Sequence, residues 1–161
     1  MCALGAAFVG SAPCQITVPP GFKAEVFASG SPLHDLCGIA VADDALYVGV
    51  AGNATTPGSV IKINRSSGNT AVLLNVRPPV SDPCKILLGD GRPETGTDLV
   101  ISDQNVDLDT GAACCNGAVF RVDRTTGAWS VILKANPVNL SATGDPWGLA
   151  LGPGGVITIF G

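Results

Sequence analysis

A ten-residue phrase occurs twice in this chain with its chemistry kept: SVIKINRSSG from Ser59 and AVFRVDRTTG from Ala118. Lys62 answers to Arg121, Asn64 to Asp123, Arg65 to Arg124 and Gly68 to Gly127. Each copy runs on into a β-type stretch, NTAVLLN or AWSVILK. Strand, polar turn closed by glycine, strand is one supersecondary unit, and its recurrence marks a repeat architecture.

Alternation and turn punctuation extend the unit in both directions. Strands are expected near Phe22–Ser29, Gly38–Ala42, Ala45–Ala51, Ser59–Asn64 and Thr70–Asn75. A second set is expected near Cys84–Leu88, Thr97–Asp103, Ala118–Asp123 and Trp129–Ala135, and a final pair near Trp147–Leu151 and Val156–Phe160. Three segments open units: LCGIAVADDALYVGVAGN, PCKILLGDGRPETGTDLVISDQN and PWGLALGPGGVITIFG. Four consecutive antiparallel strands describe the blade of a β-propeller. The expected fold is all-β, a propeller-like array of four-stranded antiparallel blades near residues 22–79, 80–136 and 137–161. Residues 1–21 are expected to form an N-terminal extension or added strand. Propellers close with ~4–8 blades, so about three blades are expected to be incomplete as a single chain. Two copies would supply about six.

At 46% hydrophobic but only 5% aromatic, the core must be built from Val, Ile, Leu and Ala, and 21 glycines supply the turns. A net charge of −4 with no Lys/Arg cluster argues against nucleic acid. The apolar start MCALGAAFVGSAPC lacks a basic leader and is far too short to span a membrane.

Cys2, Cys14, Cys37, Cys84, Cys114 and Cys115 include no C-x-x-C pair, and His34 is the only histidine. Disulfides are therefore expected over a zinc site. Cys2 with Cys14 is the simplest local pairing. Cys37 and Cys84 begin equivalent strands, and are expected to pair with Cys114 and Cys115. Asn53, Asn64 and Asn139 each head an N-x-S/T sequon. Such acceptors imply exposed positions carrying N-linked glycans. Both features point to a secreted, extracellular protein.

GIAVADDALYVGVAGN resembles the NHL-repeat and gluconolactonase-like signature, and VPPGFKAEVFASGSPL, from Val18, resembles the opening of sorbosone-dehydrogenase-like propellers. The resemblance implies a propeller fold over most of residues 16–161; its motifs are structural and specify no activity. A gluconolactonase site would need a Glu-Gly-Pro-like element where Leu36-Cys37-Gly38 stands. A quinone-dependent dehydrogenase would need a histidine in a context that SPLHDLCG does not reproduce.

SDQNVDLDTG, from Ser102, spaces Asp103, Asn105, Asp107 and Asp109 as oxygen ligands of calcium are spaced, but without the glycine and closing glutamate of an EF-hand. A self-hydrogen-bonded Asp/Asn loop is the competing reading. Asp43-Asp44 reads as a turn, and no serine has a triad to work in. No catalytic residue is assigned. The expected function is a non-catalytic scaffold that self-associates through open strand edges into an oligomer or filament. The alternatives are a fragment of a secreted sugar- or lactone-acting propeller enzyme and a calcium-dependent carbohydrate-binding module.

Overall fold

A computed structural model describes residues 17–53, 55–75, 78, 80–92, 95–106, 108, 117–134, 146, 148–153 and 156–160. Alternating apolar residues and glycine-ended turns produce antiparallel strands in simple up-and-down order. β1 (Leu36–Val41), β2 (Ala45–Val50), β3 (Ser59–Asn64) and β4 (Thr70–Leu74) form sheet 1. β5 (Pro83–Leu88), β6 (Leu99–Asp103), β7 (Ala118–Val122) and β8 (Trp129–Lys134) form sheet 2. β9 (Gly148–Leu151) pairs with β10 (Ile157–Phe160) as sheet 3. The structure is all-β with two four-stranded antiparallel sheets, and the described sheets do not close into a ring.

The duplicated phrase proves to be one turn built twice. Asn64 Oδ1 accepts hydrogen bonds from the backbone N–H of Ser66 and Ser67, both at 2.9 Å. Asp123 Oδ1 accepts from Thr125 and Thr126 at 2.8 and 2.7 Å. Those donors hold the Asp123 carboxyl below its usual range. In both turns the closing glycine, Gly68 or Gly127, takes a positive φ that a side chain would resist. The cation–carboxylate pairs repeat as well: Lys62 lies 3.5 Å from Asp44, and Arg121 lies 2.5 Å from Asp98. Asp43 and Asp44 form the expected turn, closed by the Ala42 N–H on the Ala45 carbonyl.

Side chains alternate across each strand, so every sheet offers two faces. Ala40, Tyr47 and Val60 of sheet 1 pack against Ile86, Leu99, Ile101, Phe120 and Val122 of sheet 2. The opposite face of sheet 2, Val100 and Val119, meets Leu149, Ile157 and Ile159 of sheet 3. All five residues of β6 are buried because both its faces are covered.

One expected strand is absent. Residues 22–29 form no ladder; Phe22 is 74% exposed and Val26 80%. Apolar alternation fits a strand only where a neighbour supplies hydrogen bonds, and among the described residues this segment pairs with no strand. Ala28 and Leu33 instead lie against Val48, Val50, Ile61 and Ile63 on the outer face of sheet 1.

Candidate functional site

The seam between sheets 1 and 2 holds the densest polar chemistry. β1 and β5 each carry a bulge at the same repeat position. Leu36 pairs with Val50 and Gly38 with Gly49, leaving Cys37 unpaired, while Pro83 pairs with Asp103 and Lys85 with Ser102, leaving Cys84 unpaired. A bulge turns its extra residue out of the strand's alternation. Here the two bulges bring both thiols beside Asp82. One donor atom each from Cys37, Asp82 and Cys84 lies within 4.8 Å of the other two.

Asp82 is held firmly. Gln104 Nε2 and Asn105 Nδ2 donate to its Oδ2 at 2.6 and 3.2 Å, and Cys37 Sγ donates to its Oδ1 at 3.3 Å. Beneath it, fully buried Asp103 receives the backbone N–H of Ser81 and Asp82 on Oδ2 at 2.6 and 2.7 Å, and that of Asn105 on Oδ1 at 3.1 Å. Burial outweighs these bonds and pushes the Asp103 carboxyl up to about 6. Hydrogen bonding with Cys37, then burial, drives the Cys84 thiol well above the ordinary thiol range.

Several residues read from sequence can be placed. Asp103 ties the start of β5 to the end of β6, and Asn105 gives its amide to Asp82; Asp107 and Asp109 lie outside the described residues. Cys37 and Cys84 are both free thiols, and no disulfide occurs among the described residues. Their expected partners Cys114 and Cys115 lie outside those residues, as do Cys2, Cys14 and Asn139. Asn53 and Asn64 are exposed, and in the first sequon the Thr55 hydroxyl donates to Asn53 Oδ1 at 2.9 Å. His34 is exposed, 3.5 Å from Asp35.

The second feature is apolar. On the outer face of sheet 1, Val26, Phe27, Leu33, Leu36, Ile39 and Leu46 wall an open groove of about 500 Å³. Ile39 is 59% exposed and Val41 58%. Sequence reasoning missed both the groove and the Asp82 cluster. The cluster did leave a signal, since Asp35-Leu36-Cys37 and Asp82-Pro83-Cys84 spell the same D-x-C ahead of equivalent strands.

Comparison with family models, with curated proteins and with solved structures finds no match to this chain. No helix among the described residues is long and apolar enough to cross a membrane.

Proposed function

We propose that this chain is an extracellular, N-glycosylated, propeller-like scaffold without catalysis, assembled by packing the open face of sheet 1 against a second copy. One observation carries the reading. Ile39, Leu46 and Val48 occupy the repeat positions of Ile86, Leu99 and Ile101, which are buried against sheet 1. The same apolar face is thus covered by a sheet in one copy, whereas in the other Val48 is buried and Ile39 is left exposed. Ala28 and Leu33 cover part of the open copy, and the groove remains beside them. A face built to meet a sheet is complementary to another sheet of the same repeat, and an exposed apolar patch of this kind marks an interaction surface. Assembly of copies through non-identical faces gives a ring if the rotation closes and a filament if it does not.

The resemblance to NHL-repeat and gluconolactonase-like propellers supports the blade reading of the three sheets. Disulfides in this reading draw on Cys2, Cys14, Cys114 and Cys115, and glycans on Asn53, Asn64 and Asn139. Sedimentation velocity over a concentration series tests it: concentration-dependent dimers or larger species are expected, and a strict monomer up to about 100 μM would end it.

A further inference from the structure

We infer that Cys37, Cys84 and Asp82 form a binding site for a borderline-soft divalent cation of the Zn²⁺ class, at the seam of sheets 1 and 2. Three independent features of the backbone and side chains converge on it. First, β1 and β5 bulge at equivalent residues, and these residues are the two cysteines. Bulges recur where a strand must re-aim a side chain, and these two aim their thiols at one point. Second, a carboxylate completes the set, with one donor atom from each residue inside 4.8 Å of the others. That spread can contract around an ion with metal–sulfur distances of ~2.3 Å and metal–oxygen distances of ~2.0–2.2 Å.

Third, the carboxylate is oriented in advance. Gln104 and Asn105 occupy Oδ2, the Asp82 N–H is fixed by Asp103, and Oδ1 is left toward Cys37. Hydrogen-bonded carboxylates of this kind are characteristic of metal ligands.

Donor chemistry selects the ion. Two sulfurs and one oxygen suit Zn²⁺ or Co²⁺ and are poor ligands for Ca²⁺ or Mg²⁺. Binding breaks the two S–H bonds, forms two metal–sulfur bonds and releases two protons to solvent, while Asp82 binds as the carboxylate. Among the described residues no further His, Cys, Asp or Glu completes the set. A solvent molecule takes the fourth position, as at zinc sites that keep one position open. The ion would join the first strand of sheet 1 to the first strand of sheet 2, across a junction that the Cys37 to Asp82 hydrogen bond already spans.

The test is metal binding by the full-length chain, purified with reductant and stripped of metal, using Zn²⁺ and Co²⁺ alone as probes. Cys2, Cys14, Cys114 and Cys115 could also take metal, so the decisive quantity is a difference. The Cys37→Ser/Cys84→Ser variant is expected to bind one equivalent fewer than wild type, and to lose a matching share of the near-ultraviolet thiolate-to-cobalt absorption. Gln104→Ala, which leaves every ligand in place, is expected to weaken binding about 10- to 100-fold. Should the double variant fail to fold, alkylation of wild type decides: Zn²⁺ is expected to shield Cys37 and Cys84 together, and EDTA to expose them. Equal stoichiometry in wild type and a folded double variant would overturn the site. So would alkylation rates indifferent to Zn²⁺, or a disulfide at Cys37 or Cys84 that persists in Zn²⁺-containing preparations.

Discussion

Gly49 stands so close to Pro83 that a Cβ at Gly49 would lie 2.3 Å from the Pro83 carbonyl oxygen. The contact is backbone against backbone, so no flexible side chain can move aside. Sheets 1 and 2 therefore meet at a spacing that only glycine permits. Gly49→Ala is expected to force the seam apart and to cost roughly 1–3 kcal/mol, as overpacking usually does. A lowered denaturant midpoint with an unchanged slope would show it, and an unchanged midpoint would mean that the seam yields.

Ile39 and Ile86 hold one repeat position in opposite circumstances, 59% and 2% exposed. Ile86→Ala empties space between two sheets and is expected to cost about 2–5 kcal/mol. Ile39→Ala is expected to leave the monomer within about 0.5 kcal/mol of wild type. Ile39→Lys should abolish self-association in sedimentation velocity while leaving the circular dichroism spectrum unaltered. Association that survives Ile39→Lys would place the contact elsewhere.

Asp103 makes stability depend on pH in an unusual direction. Because burial raises its carboxyl to about 6, the folded chain holds this proton more tightly than the unfolded one, whose Asp titrates near ~3.9. Its contribution is most favourable below about 4, declines as pH climbs to about 6, and stays low above that. The whole change is on the order of 3 kcal/mol. Asp103→Asn removes the titration, and is also destabilising, because its amide nitrogen cannot accept the N–H groups that the carboxylate receives. The stability gap between wild type and variant should therefore narrow from pH 4 to pH 7 in urea unfolding curves. A constant gap would contradict the assignment.

Asn64 and Asp123 accept the same turn amides, so Asn64→Asp copies the second repeat into the first. It should preserve the turn and remove one glycan acceptor. Mass spectrometry of chain made in a glycosylating host is expected to show one glycan fewer, with the thermal midpoint of the deglycosylated chain within a degree or two.

The strands were legible because period-two alternation is written plainly in ALYVGV and SVIKIN, and because the phrase at Ser59 and Ala118 repeats a turn whose hydrogen bonds are local. Residues 22–29 misled for the complementary reason: alternation records which side chains could share a face, not whether a ladder partner exists. Asp103 is expected both to end a strand and to open a calcium-like series with Asn105, Asp107 and Asp109; it does end β6, and what alternation alone did not show is its complete burial. The continuous apolar run Leu99-Val100-Ile101 before it was the available clue. The bulges at Cys37 and Cys84 could not be read at all, since a bulge belongs to the register between two strands.

Sheet 2 is covered on both faces at β6 and β7, while sheets 1 and 3 each meet it on one. Among the described elements, cohesion therefore passes only between neighbours. Loss of the short pair β9–β10 need not open the seam at Gly49 and Pro83, so the molecule can loosen stepwise from its outer layers. Amide hydrogens of β6 would then exchange last, through the opening that dismantles the whole chain, and those of β10 among the first. Its durability is set by its middle layer.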